Sequence, residues 1–140
     1  MKLLDVNVLI YAFQPVAPAH AAWRAWLDDA RDRPFCVPDE VCLGFVRIVT
    51  NRKVFTEAAT TSEALAFLDA LRASAGWREL ARTPGRWGTL GRVAAATHAR
   101  AAAVSDAWLA TLAIEADAEL VSADRDFAAF PGLRWRCPVP

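Results

Sequence analysis

Short, largely apolar segments alternate with helix-like segments along this chain, and this alternation limits the folds that it can adopt. Five segments are predicted as strands: residues 3–6, 35–37, 77–80, 119–123 and 133–137. Most of them lack the strict alternation of a half-exposed strand, which is typical of a parallel sheet buried on both faces. The sequence therefore predicts the α/β class, with a short parallel β-sheet flanked by helices on both faces.

The segments between these strands carry apolar residues at a spacing of three or four, as amphipathic helices do. Helices are predicted to begin near residues 8, 19, 39, 61, 88 and 105, with a short turn or helix at 126–130. Asp39, Thr61 or Ser62, and Ser105 are the predicted N-caps, because their short polar side chains can accept a backbone N–H bond. A loop is expected at 82–88 and a helix from there to about residue 100.

The bulk composition is that of one globular domain, predicted to span residues 1–140. No apolar stretch approaches the roughly 18 residues of a membrane span, and no secretion signal is expected at the start. Cys36, Cys42 and Cys137 are odd in number and show no C-x-x-C spacing, so we interpret them as core residues in a reducing compartment. The expected location is the cytoplasm.

Four carboxylates border apolar segments, where an acidic group would ordinarily be unfavourable: Asp5, Glu40, Asp106 and Asp124. Strand ends and helix starts meet at the same edge of a parallel sheet, so all four can face one cleft. Like charges that converge repel each other unless a cation lies between them. Taken singly, each acid is more simply a first-turn or turn residue, but four at one edge favour a divalent metal site.

Oxygen ligands favour Mg²⁺ or Mn²⁺, and no cysteine or histidine spacing suggests zinc. Such a site suits hydrolysis of a phosphodiester, because the metal activates water and neutralises phosphate charge. The chain has no phosphate-binding P-loop and no G-x-G-x-x-G sequence after a strand. Asp5-Val6-Asn7 partly matches the D-x-D sequence of haloacid-dehalogenase phosphatases, but Asn7 replaces the general acid of that family.

Five segments together resemble the PIN-domain ribonucleases, and specifically the VapC toxins of type II toxin–antitoxin pairs. They are residues 4–12, Glu40 with 44–51, 104–110, 122–127 and 130–135. The resemblance extends from the first residue to the C-terminus. It implies a PIN-like domain and a metal-dependent endoribonuclease of the bacterial cytoplasm, with Mg²⁺ or Mn²⁺ as cofactor.

The resemblance also implies roles for individual residues. Asp5, Glu40, Asp106 and Asp124 would form the catalytic, metal-binding quartet. Asp126 would be a nearby second acid or equally the cap of the short helix, and Asp39 is set aside as an N-cap. Asn7 and Ser122 would hold the acids or a metal-bound water by hydrogen bonds. A homodimer, a VapB-type antitoxin that blocks the cleft, and cleavage in tRNA or rRNA loops are further implications.

Candidate RNA contacts are less specific, and the net charge of zero does not indicate a nucleic-acid binder. Arg86, Trp87 and Arg92 offer phosphate partners and a flat surface for a base, although a solvated loop with a buried Trp87 is equally compatible. Arg47 could flank the cleft, but it is slightly better explained as a charge at a helix C-terminus. Trp108 is expected in the core or in a dimer contact.

Two other functions remain open from the sequence. A metal-dependent phosphatase of small phosphoesters would use the same acids, and a catalytically inert PIN-like module would bind RNA or a protein partner without cutting.

Overall fold

The fold is a single parallel sheet with helices between its strands, as described for all 140 residues by a computed structural model. The strands are β1 (Lys2–Leu4), β2 (Phe35–Cys36), β3 (Glu119–Val121) and β4 (Arg134–Arg136). The helices are α1 (Val6–Phe13), α2 (His20–Ala30), α3 (Asp39–Val49), α4 (Thr61–Arg72), α5 (Arg86–Thr97) and α6 (Ala103–Glu115). A short 3-10 helix covers Arg125–Ala129. The predicted α/β class is confirmed.

The sheet has the order β2-β1-β3-β4, and all neighbouring strands are parallel. Leu3 and Leu4 point to opposite faces of the sheet, and both are fully buried. Both faces are therefore covered, as predicted. From β1 the chain continues to β2 on one side of the sheet, and from β3 it continues to β4 on the other side. The direction in which successive strands are added therefore changes between β1 and β3. Ligands of open α/β sheets bind beyond the strand ends at such a point.

Aromatic side chains tie the helices on one side of the sheet together. Phe13 of α1 lies edge-on to Phe45 of α3, with ring centroids 5.3 Å apart. Phe67 of α4 contacts both of these rings. This packing joins the end of α1 to the middle of α3 and of α4, and both α1 and α3 begin at the edge where the strands end.

The predicted strand at 77–80 is wrong. Only Trp77 joins the sheet region, through one isolated bridge to Phe35 and an edge-on ring contact at 5.6 Å. Arg78 and Glu79 that follow are exposed, so nothing apolar continues the pairing. One half-buried aromatic side chain is not enough to extend a strand.

Several predicted helix starts differ from the structure. Helix α4 is capped by Thr60, one residue earlier than predicted, through a reciprocal capping box with Glu63. Pro38 occupies the N-cap position of α3, so Asp39 is its first helical residue. Helix α6 begins at Ala103, which places Ser105 inside the first turn. Helix α5 also begins earlier than predicted, at Arg86, and ends at Thr97.

Cys36 and Cys42 are buried free thiols, and Cys137 is also free. Burial raises the pKa of both buried thiols to about 11. They are therefore neutral core groups at physiological pH, as the sequence predicted. None of the helices is long and apolar enough to cross a membrane.

Candidate functional site

The candidate site lies where β1 and β3 end side by side. Asp5 follows β1 directly, and its backbone N–H donates to the carbonyl of Val121 at 3.0 Å. Ser122 is the next residue after β3 and is fully buried. The parallel pairing of β1 with β3 therefore brings Asp5 next to Ser122, although 117 positions separate them in the chain.

Asp5 is the most deeply buried acid of the site, with 8% of its surface exposed. It caps α1, and its Oδ1 accepts the backbone N–H of Val6 at 2.6 Å. Its Oδ2 accepts the hydroxyl of Ser122 at 2.7 Å and the side-chain amide of Asn7 at 2.9 Å. Neutral donors thus stabilise this carboxylate without neutralising its charge.

Asn7 and Ser122 join the ends of the two central strands. The Asn7 amide also donates to the Ser122 hydroxyl at 3.0 Å, and its Oδ1 accepts the backbone N–H of Ala123 at 3.1 Å. The Ser122 hydroxyl accepts the backbone N–H of Asp124 at 2.9 Å. The two predicted supporting residues therefore contact Asp5 and also fix the backbone that carries Asp124.

The acids of the site perturb one another. Burial raises the pKa of Asp5, the bonds from Ser122 and Val6 oppose this, and the charges of Asp106 and Asp124 raise it further. The pKa of Asp106 is also raised, by burial and then by the charges of Asp124 and Asp126. Mutual repulsion of this kind requires the carboxylates to lie within electrostatic reach of each other.

A cleft of about 450 Å³ adjoins these acids. Asp5, Glu40 and Asp106 contribute its acidic side chains, while Val41 and Leu109 are among its apolar ones. Glu40 lies in the first turn of α3 and Asp106 in the first turn of α6, where free N–H groups favour a carboxylate. The structure therefore brings three of the four predicted acids to one cleft.

The fourth predicted acid, Asp124, is not among the residues that line this cleft. Asp124 is exposed and caps the 3-10 helix by accepting the backbone N–H of Asp126 at 2.9 Å. The cap of that helix is thus Asp124, while Asp126 is an exposed residue of its first turn. Both acids act on Asp106 through their charge.

The carboxylates fit a hard divalent cation in chemistry, but their side chains are not gathered around one point. No three acidic, histidine or cysteine side chains lie close enough together to form a metal-binding group as they stand. Glu40, one of these acids, accepts a hydrogen bond from the indole of Trp108 instead. Rotation of exposed side chains such as Glu40 and Asp124 is the movement that ligation would require.

The predicted RNA contacts fall into different environments. Trp87 is 75% exposed and lines the cleft, as does the exposed Arg47. Arg92 is exposed and donates to Thr89, outside the cleft lining. Arg86 pairs instead with Glu115 at 3.1 Å and with the carbonyl of Ala81, an arrangement that anchors α5 to α6.

Trp108 is the site residue that sequence reasoning did not find. The sequence places it in the core or in a dimer contact. It does pack against the core, half-buried, but its indole N–H also reaches Glu40 on another helix. The two residues are 68 positions apart, and no spacing within either helix indicates their contact.

Comparisons with known proteins agree with this architecture. A family model described as the PIN domain matches residues 2–133. The chain is 40% identical to the VapC ribonuclease Mb2897 of Mycobacterium bovis, over 99% of this chain and 96% of that protein. It is 35% identical to ribonuclease VapC25 of Mycobacterium tuberculosis, over 96% of each protein.

The structural neighbours show the same fold at much lower identity. The crystal structure of VapBC2 from Rickettsia felis bound to a promoter DNA fragment matches with a TM-score of 0.69 and 14% identity, over 96% of each chain. The sequence relatives and the family model together identify the chain. It belongs to the PIN-domain family, and within that family to the VapC group.

Proposed function

We propose that this protein is a divalent-metal-dependent endoribonuclease and the toxin of a toxin–antitoxin pair. The observation that carries the proposal is the convergence of Asp5, Glu40 and Asp106 on one cleft. Asp124 lies close enough for its charge to raise the pKa of Asp5 and of Asp106. The near full-length relatives named as VapC ribonucleases support the same activity.

Asp5, Glu40, Asp106 and Asp124 are the proposed ligands of Mg²⁺ or Mn²⁺, with Asp126 as an additional acid. A bound cation would supply activation of water and charge neutralisation at the scissile phosphate. Asn7 and Ser122 hold Asp5 through its Oδ2, which fixes the direction of the carboxylate towards the cleft. The remaining proposed ligands form no ion pair with an arginine or a lysine, so no basic side chain competes for their oxygens.

The apolar side of the cleft suits a base of an unpaired RNA segment. Trp87 presents an exposed ring there, and single-stranded bases stack on such surfaces. Arg47 lies on the same cleft and is placed to contact a phosphate. We therefore propose unpaired loops of tRNA or rRNA as the substrate class, with Arg92 at the periphery and Arg86 acting mainly through Glu115.

The proposed partners are an antitoxin of the VapB type and a second copy of this chain. An antitoxin that occupies the cleft would block access to the acids. The structural match to a VapBC complex is compatible with such a partner but shows only the fold. The proposed location is the bacterial cytoplasm, where RNA is present and buried free thiols such as Cys36 stay reduced.

Incubation of the purified protein with total RNA in Mg²⁺, Mn²⁺ or EDTA tests the proposal, with the cut ends mapped by sequencing. We expect discrete cuts with either metal and none in EDTA. Glu40→Gln should abolish cutting, whereas Asp39→Asn, which neutralises the neighbouring exposed acid, should leave it unchanged. Equal cutting by Glu40→Gln would refute the assignment of that ligand.

The same assay separates the two other functions. A phosphatase would hydrolyse an aryl phosphate and leave RNA intact, and an inert module would bind RNA without producing new ends. The structure does not favour the phosphatase, because the Asn7 amide that replaces the acid of that family is bonded to Asp5 and Ser122. Cutting of RNA that survives EDTA would contradict metal dependence.

A further inference from the structure

Trp108 is held in a defined orientation between two other side chains. The ring of Trp87 lies 5.2 Å from its ring at an angle of 40°, and the guanidinium carbon of Arg86 lies 5.9 Å from its ring centroid. Arg86 is itself fixed by Glu115, because their ion pair is largely buried. The half-buried indole of Trp108 therefore has little freedom to rotate.

This fixed indole donates its N–H to Oε1 of Glu40, across the gap between α6 and α3. Glu40 is exposed and has a long side chain, and this is the one hydrogen bond that its carboxylate makes. Asp5, in contrast, is held by three donors. Without Trp108, nothing in the structure would restrict the Glu40 carboxylate to the cleft.

We propose that Trp108 is a positioning residue for Glu40. The indole holds one carboxylate oxygen, Oε1, and leaves Oε2 available to a cation. Hydrogen bonds to the second atom of a ligand group orient that group, and their loss typically costs about 10- to 100-fold in metal affinity. This inference rests on the proposed function, since it takes Glu40 as a metal ligand.

The first test is the affinity for Mn²⁺, measured by calorimetry without RNA, in the wild type and in Trp108→Phe. Phenylalanine retains a ring against Trp87 and removes the N–H donor. We expect Mn²⁺ to bind the variant about 10- to 100-fold more weakly. An unchanged affinity in a folded variant overturns the inference.

Trp77→Phe is a closely matched control. The Trp77 indole donates to Oε1 of Glu79 at 2.8 Å, and the guanidinium carbon of Arg72 lies 5.7 Å from its ring centroid. The same kind of contact is thus removed at a carboxylate that is not a proposed ligand. Its Mn²⁺ affinity should equal that of the wild type, and an equal loss in both variants would indicate a general structural effect.

A double-mutant cycle shows whether Trp108 acts through Glu40. In a Glu40→Gln background, Trp108→Phe should cause no further loss of Mn²⁺ affinity, because the group that it positions is already changed. A second loss as large as that in the wild type would overturn the inference. If the wild type neither binds Mn²⁺ nor cuts RNA, the proposed function fails, and the inference fails with it. If the wild type and Trp108→Phe bind Mn²⁺ equally well, only the inference is refuted.

NMR of the wild type provides a measurement that does not depend on the folding of Trp108→Phe. The indole N–H of Trp108 should exchange with solvent more slowly than that of Trp87, before and after Mg²⁺ is added. Glu40→Gln should shift the Trp108 signal and leave the Trp77 signal in place. Equal exchange rates for Trp108 and Trp87 would show that the hydrogen bond to Glu40 does not persist and would overturn the inference.

Discussion

Replacement of Ser122 by alanine should destabilise the protein in a pH-dependent way. Its hydroxyl is fully buried and donates to the charged Oδ2 of Asp5 at 2.7 Å. A hydrogen bond to a charged group contributes about 1.5–3 kcal/mol, and a neutral one about 1 kcal/mol. The variant loses the bond to Asp5. It also loses the two neutral bonds that the hydroxyl accepts, from the Asn7 amide and from the backbone N–H of Asp124. These two bonds count for less, because they are only partly buried.

The expected loss is therefore about 2–4 kcal/mol of unfolding free energy at neutral pH, less than the roughly 5–15 kcal/mol of a typical domain. The bond from Ser122 lowers the pKa of Asp5, so its removal raises that pKa further above its ordinary value. The penalty is thus fully present where Asp5 is ionised. It should shrink as pH falls through the raised pKa of Asp5.

Urea unfolding, followed by tryptophan fluorescence between about pH 4 and pH 8, measures this difference. Thr111→Val is the matched control, because the Thr111 hydroxyl is equally buried but donates to the neutral carbonyl of Ala107 at 2.8 Å. Its loss should be smaller and should not vary with pH. If Ser122→Ala loses the same free energy at every pH, the bond to an ionised Asp5 is not what stabilises this site.

Three further predictions concern single side chains. Asp106→Asn should abolish RNA cutting, yet it should raise the melting temperature of the metal-free protein at neutral pH. Because the pKa of Asp106 is raised, the stability of the wild type falls as pH rises through that pKa. The higher melting temperature of the variant should therefore vanish below that pKa. Glu115→Gln should cost about 2–4 kcal/mol in urea unfolding, since it breaks a largely buried ion pair with Arg86. Burial opposes ionisation of Glu115, but bonds from Thr83 and Arg86 lower its pKa overall, so the cost should disappear as pH falls through that lowered pKa. Trp87→Ala should weaken RNA binding by about 5- to 150-fold in a filter assay, as loss of one stacked base would. It should cost at most about 1.5 kcal/mol of stability, from the lost ring contact with Trp108.

The sequence predicted the parts of the fold that rest on continuous apolar segments. Leu3 and Leu4 are adjacent apolar residues that are buried on opposite faces of the sheet. A continuous apolar segment of this kind is typical of a central parallel strand, which is covered on both faces. The prediction at 77–80 failed because the exposed Arg78 and Glu79 separate Trp77 from Leu80, and only Trp77 pairs with the sheet. Cap positions were shifted because several adjacent polar residues, such as Thr60 and Thr61, can each serve as an N-cap, and only the chain's path selects one.

The candidate site was predictable where strand order alone brings residues together. Asp5 and Ser122 meet because β1 pairs with β3, and the resemblance to PIN domains had assigned both residues to the site. Contacts between side chains of separate helices carry no such signal. The bond from Trp108 to Glu40 depends on how α3 and α6 pack, as does the pairing of Arg86 with Glu115 across α5 and α6.

The ion pairs of the structure leave the acids of the site without a basic partner. Asp28, Asp29, Asp69, Glu115 and Asp117 each pair with an arginine. None of the four proposed ligands does, although arginine is abundant in the chain. A basic partner would offset the burial and the repulsion that raise the pKa of Asp5, but it would also occupy the oxygens that a cation needs. Neutral donors orient Asp5 and Glu40 and leave their negative charge for a ligand that arrives from solution. The same arrangement makes the metal-free protein less stable at neutral pH than it would be with an amide at position 106, which is the cost that Asp106→Asn should expose.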